Sequence, residues 1–181
     1  MEGTRALLPK GDLWRTAHVI FVTVGSDKGF PRLLHAVDCL KVRGLIQGDV
    51  LLQIGRTPDF SSAVCSVVRF LSPAEYEQRM RNATVVICHG GAGTMIQALQ
   101  AGKVPIVMPR RVKYGEHVDD HQLEGAQELA AAGRIILVQE PKELPAAIQI
   151  ARSRSAPPPV RPVRMIELVS RAIEDLLVCR V

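Results

Sequence analysis

Aromatic residues make up only 4% of the chain, and that scarcity argues against a surface on which nucleic-acid bases stack. There is no Cys-x-x-Cys pair. Cys39, Cys65, Cys88 and Cys179 are scattered, mostly in apolar segments, and read as buried free thiols in a reducing compartment. No run reaches the ~18 apolar residues of a membrane span. The opening MEGTRALLPKGDLW has only Ala6, Leu7 and Leu8 where a secretory signal needs an apolar stretch. These absences predict a cytoplasmic protein, with any membrane attachment peripheral or borrowed from a partner. No internal repeat is visible.

What is present is ordinary in bulk. The 181 residues suffice for one domain with a full core and an appended element. Hydrophobic content of 47% and charged content of 23% fit a soluble globular chain. The net charge of +5 favours an anionic ligand, an anionic membrane face or an acidic partner without choosing among them.

The order along the chain is more informative. Residues 1–16 lack periodicity and read as a loose arm, with Trp14 as a chance packing contact. HVIFVTVGS (18–26) is a continuous β-branched run, the pattern of a strand buried on both faces. PRLLHAVDCLKVRG (31–44) has helical spacing, with Pro31 in the first turn and Gly44 at the stop. Strands follow at 49–55, 66–71, 84–90, 104–109 and 134–139. Helices follow at 73–83, 93–102, 119–133 and 142–151, the third with an aspartate cap and a glycine stop. This alternation predicts an α/β fold, a Rossmann-like, doubly wound parallel sheet over residues 17–151. A proline-rich connector (152–162) and a closing amphipathic helix (163–181) complete the expected organisation.

In open parallel sheets, ligands bind beyond the carboxyl ends of the strands. That rule selects four loops: Gly25 to Gly29, Leu71-Ser72, His89 to Thr94, and 110–121. CHGGAGT places Gly90, Gly91 and Gly93 between a strand and a helix, so something is expected to approach that backbone closely. Free amides and the positive end of a helix dipole suit a diphosphate, and Thr94 can add a hydroxyl. The loop is not a Walker A motif, since no Gly-Lys-Ser/Thr ends it. Gly91-x-Gly93 begins a dinucleotide-binding pattern, but Ile96 stands where its third glycine belongs. Arg110 and Arg111 after the next strand would suit an NADP 2′-phosphate. His117 and His121 are four apart, a spacing that can clip a metal. The helix is expected to begin at Asp119 or Asp120, which leaves His117 outside it, so no metal is assigned.

Taken in order, VTVGS, HGGAGTMIQALQAGKVPIVMP and DDHQLEGAQELAAAG resemble the C-terminal, donor-binding half of family 28 glycosyltransferases with the GT-B fold. The likeness spans about residues 18–150 and is greatest to stand-alone catalytic subunits of two-component UDP-GlcNAc or exopolysaccharide transferases. The resemblance implies a UDP-sugar donor carrying GlcNAc or another hexose, and no further cofactor. It carries Gly25 and Ser26 onto the first glycine loop near the donor phosphates, and Leu71 onto the loop that meets the base. His89, Gly90, Gly91, Ala92, Gly93 and Thr94 match the diphosphate loop. Asp119, His121 and Gln122 match the segment that reaches ribose and sugar. His121-Gln122-x-Glu124 has the form of the half-enzymes, whereas RRVKYGEHV (110–118) departs from the usual pattern. His89 is expected to shape its loop rather than act as base.

A GT-B enzyme uses a second domain to hold the acceptor and supply the base, and about 17 residues precede the first strand here. The resemblance therefore implies an acceptor-domain partner, membrane-associated and presenting a lipid-linked sugar, with no nucleic acid involved. Two other functional classes share this pattern: a non-catalytic nucleotide-sugar-binding regulatory module, and an NADP-binding oxidoreductase.

Overall fold

The computed structural model describes residues 19–154. The arm at 1–16, nearly all of the connector and the closing helix at 163–181 lie outside the described residues. Six strands form one sheet: β1 (Val19–Thr23), β2 (Asp49–Gln53), β3 (Ser66–Val68), β4 (Val85–His89), β5 (Ile106–Met108) and β6 (Ile136–Leu137). Their order is β3-β2-β1-β4-β5-β6, and every neighbouring pair is parallel. The helices are α1 (Pro31–Val42), α2 (Pro73–Asn82), α3 (Ala92–Gln100), α4 (His121–Ala131) and α5 (Leu144–Ser153). The doubly wound Rossmann-like sheet expected from the alternation is present.

β1 and β4 are buried throughout, with Thr23 and His89 their only polar residues, because helices cover both faces of the sheet. Ile20 and Val22 point into a cluster that includes Leu33, Leu34 and Val37 of α1 and Ala147 and Ile148 of α5. Phe21 points the other way, into Met80 of α2 and Ala98 of α3. Cys88 and Val107 meet Met95 of α3 and Ala126 of α4 in a third cluster. Each strand residue therefore alternates between two dry layers.

Several boundaries differ from expectation. The third and last strands are short because they are the sheet's edges. Ser66 is exposed, and both residues of β6 are only half-buried. Backbone bonds continue past both: Ile54 N donates to the Val68 carbonyl, and Val138 N to the Val107 carbonyl. α4 starts at His121, two residues after the expected point, and the carboxylate of Asp119 accepts the His121 amide at 3.3 Å. α5 runs to Ser153, into the stretch read as connector. Cys65 and Cys88 are buried thiols as expected, but Cys39 is exposed. It falls off the Leu33-Leu34-Val37-Leu40 stripe that α1 buries.

The chain reverses at the topological switch point between β1 and β4, where Thr23 pairs with Cys88. Helices leave these strands toward opposite faces, so a crevice opens between the Gly25 and His89 loops. Gly55, after β2, supports this edge from beside it. Its φ is +53°, and a Cβ there would stand 2.3 Å from the Gly25 carbonyl. Gly44 also has a positive φ of +69° but faces open space. Left-handed backbone alone costs a side chain about 1–3 kcal/mol. Gly55→Ala should therefore lower the urea midpoint clearly more than Gly44→Ala; equal losses would show that the loop at Gly25 yields freely.

Candidate functional site

A cavity of about 550 Å³ lies at the carboxyl edge of β1 and β2, between α2 and α3. Gly25, Ser26, Leu71 and Thr94 all line it, so four sequence-predicted positions from three loops converge on one space. Phe70, Gln53 and Tyr76 also line it, and these were missed. A signal existed for two of them. Gln53 is a polar residue at the end of an otherwise apolar buried strand, and Phe70 is an aromatic side chain, 53% exposed, in the loop after β3.

The polar floor of the cavity is organised. The hydroxyl of Thr23, the last residue of β1, donates to Gln53 Oε1, and the Gly25 amide donates to the Thr23 hydroxyl at 3.3 Å. Tyr76 of α2 has its hydroxyl within reach of Thr23 and Thr94. Burial pushes its pKa up, and these two side chains pull against that shift. The Thr94 hydroxyl is thus held at the mouth of α3. Helix α3 has Gly91 as its N-cap with no side-chain cap, and its first turn closes with Met95 N donating to the Gly91 carbonyl. The amides ahead of Met95 have no intrahelical acceptor, and the dipole end adds positive potential.

The glycines of this loop have a different reason from the expected one. A Cβ on Gly91 would stand 2.3 Å from His89 Nε2, and one on Gly25 would stand 2.7 Å from His89 Cε1. A Cβ on Gly90 would meet Gln122 at 2.9 Å and Pro109 at 3.1 Å. What comes close to the backbone is the His89 ring at Gly25 and Gly91, and the Cβ and backbone carbonyl of Gln122 with the Pro109 ring at Gly90. Only Gly93 faces open space.

His89 is 8% exposed and wedged between the two glycine loops. Burial, with the Arg110 guanidinium and then His117 adding to it, pushes its pKa down to about 4, although the Thr23 backbone pulls the other way. It is neutral at physiological pH and acts as a spacer between loops.

Asp119, His121 and Gln122 do not line the cavity. Gln122 is 5% exposed and lies behind Gly90, where its Oε1 accepts the Arg110 amide at 3.3 Å. Asp119 and His121 are exposed on the neighbouring loop, side by side. Arg110 is 3% exposed, and its guanidinium donates to the carbonyls of Val24 at 2.7 Å and Lys28 at 2.6 Å. Arg111 binds Asp120 at 3.3 Å and Gln139 at 3.1 Å. Both arginines make internal bonds, and neither lines the cavity, so the geometry gives no support to the reading in which they hold an NADP 2′-phosphate. Among the described residues, no helix is long and apolar enough to cross a membrane.

Comparison with known proteins extends this geometry. The model of the glycosyltransferase family 28 C-terminal domain matches residues 19–159. The UDP-N-acetylglucosamine transferase subunit ALG13 of Homo sapiens is 32% identical over 124 residues, covering 64% of this chain and 10% of that protein. The UDP-N-acetylglucosamine–N-acetylmuramyl-(pentapeptide) pyrophosphoryl-undecaprenol N-acetylglucosamine transferase of Bdellovibrio bacteriovorus is 29% identical over 101 residues, 54% of this chain and 27% of that protein. The chain thus spans a minor part of either relative's length. The solution NMR structure of ALG13 superposes with a TM-score of 0.56 at 18% identity, covering 84% of this chain and 94% of that one, a likeness of fold. With a family match that spans all the described residues, the chain belongs to the glycosyltransferase family 28 C-terminal domain family.

Proposed function

We propose that this chain is the donor-binding part of a glycosyltransferase that moves GlcNAc or another hexose from a UDP-sugar to a lipid-linked acceptor. A partner subunit, peripheral to or anchored in a membrane, holds that acceptor and supplies the base. One observation carries the reading: in a family 28 domain, Thr94, in the first turn of α3, lines one cavity of nucleotide size together with Gly25, Ser26 and Leu71. The names of the relatives support the finer points. The human relative is named a UDP-N-acetylglucosamine transferase subunit, and the bacterial one a transferase acting on a pyrophosphoryl-undecaprenol compound.

In this reading the base rests against Leu71 and Phe70, and the diphosphate bridges the Gly25-Ser26 loop and the mouth of α3. The sugar extends toward the 110–121 loop. The leaving UDP gains negative charge as the glycosidic bond breaks. Oriented amides, a helix dipole and a hydroxyl stabilise that charge without reorganising at the moment of reaction. Among the residues that line the cavity, Arg81 is the cationic one, and His89, neutral behind the loop, adds no charge.

Calorimetry tests the reading directly. UDP and UDP-GlcNAc should bind and NADPH should not, and UDP at 100 times its Kd should add ~2.7 kcal/mol to stability. Gly93 has room for a side chain, so Gly93→Val should fold normally and lose UDP binding. Unchanged UDP affinity in that variant would remove the loop from the site.

His89 generates a separate prediction. Its pKa is near 4 in the fold and near 6.5 without it, so the unfolded chain takes up a proton between these values and the folded chain does not. Stability contributed by neutral His89 is complete above pH ~6.5 and is lost as pH falls toward ~4, by up to about 3 kcal/mol. Urea midpoints measured from pH 7 to pH 4.5 should fall for the wild type and fall less steeply for His89→Gln. Parallel slopes would show that His89 titrates normally.

A further inference from the structure

We infer that His117, Asp119 and His121 form a binding site for a divalent transition-metal ion of the zinc class, on the rim of the cleft. The objection from sequence was that His117 lies outside the helix. The structure removes it, because the turn ahead of α4 folds His117 back over the helix start. His117 Nδ1 lies 3.2 Å from Asp119 Oδ1, and His121 Nδ1 contacts the same oxygen. One ligand atom from each of the three residues lies within 4.8 Å of the other two. The two rings stand nearly perpendicular, at 85°, with centroids 4.7 Å apart.

These distances suit a metal. Around a tetrahedral zinc with bonds of about 2.0–2.1 Å, ligand atoms sit about 3.3 Å apart. Small side-chain rotations bring all three atoms to that spacing. Two imidazole nitrogens and one carboxylate oxygen favour zinc and its neighbours over magnesium or calcium, which prefer all-oxygen shells. Three protein ligands also leave a coordination position for water or an anionic oxygen.

The backbone that presents the ligands is fastened. Arg32 grips Glu116 with two bonds, at 2.7 and 2.9 Å, and Glu116 also accepts the Arg111 amide at 3.0 Å. Asp120 is turned away to Arg111 and to the Val112 amide. Of the two adjacent aspartates, only Asp119 faces the imidazoles, and its own oxygen also caps the His121 amide. Access is open: the Asp119 and His121 side chains are 54% and 61% exposed, while His117, at 14%, anchors the cluster against the fold.

The test needs no nucleotide, so its failure is distinct from failure of the donor reading. Tag-free chain in a thiol-free reducing buffer is titrated with Zn²⁺ by calorimetry, and with Co²⁺ followed by absorption. One ion per chain is expected, with spectra lacking the charge-transfer band of a thiolate ligand. His117→Ala, His121→Ala and the isosteric Asp119→Asn should each weaken Zn²⁺ binding by about tenfold or more, whereas His35→Ala, whose ring packs beside Phe60, should bind as wild type. Circular dichroism identifies any variant that fails to fold; the exposed His121 and the isosteric Asp119 change keep the test decisive if His117→Ala does. Absence of binding up to millimolar Zn²⁺, binding unchanged in the His121 and Asp119 variants, or a thiolate band would overturn the site.

Discussion

The guanidinium of Arg110 carries its charge into a position only 3% exposed, and the carbonyls of Val24 and Lys28 receive it there. Phe30 lies 5.3 Å away from it, Asp27 and Glu116 add favourable charge, and burial opposes the charged form. An arginine does not shed its proton in a protein, so this side chain stays buried only while its partners stay in place. The bonds run from the strand after the switch point back to the loop that leaves β1. They therefore fix the Gly25 loop, the end of β5 and the start of the 110–121 loop as one unit. A buried charge left without partners is strongly destabilising, so the site's edge resists any movement that would pull these carbonyls away.

That unit explains why the glycines are where they are. With the Gly25 loop held by Arg110 and the α3 loop held by its helix, the space between them is filled by the His89 ring. A ring in so narrow a gap leaves no room for a Cβ on Gly25 or Gly91. Gly55 continues the same packing one strand further out, its missing side chain admitting the Gly25 carbonyl. The glycine-rich stretch thus builds a rigid lip, and only Gly93 is left facing outward. Preorganisation of this kind matters to an anion site, because amides that are already oriented need not reorganise when charge develops.

Much of this was legible beforehand. Uninterrupted β-branched runs at β1 and β4 announced a doubly covered parallel sheet, and prolines and glycines marked the helix ends. The carboxyl-edge rule then led to Gly25, Ser26, Leu71 and Thr94, which share one cavity. What escaped was tertiary. The glycine cluster announces a close approach, but not whether the visitor is a ligand or the chain's own imidazole. Arg110 and Arg111 read as free cations because nothing local shows the carbonyls and side chains that claim them from as far as 86 residues away. Gln122 was assigned to the segment that reaches ribose and sugar, yet it packs behind Gly90 and accepts a backbone amide. The edge strands were overextended because a run of apolar residues carries no mark of where a neighbour strand ends.

Histidine is sorted by position in this molecule. His89 is sealed in the lip, neutral and acting through shape, and its burial beside Arg110 keeps a proton from joining it. His117 and His121, a few residues past that arginine, stand against the carboxylate of Asp119, with the His121 side chain 61% exposed. The two environments are linked through Glu116, which clasps Arg32, supports the Arg111 amide and adds favourable charge to Arg110. The loop ahead of α4 and the loop after β1 are thus tied by side-chain bonds of Arg32, Glu116 and Arg110 as well as by the sheet.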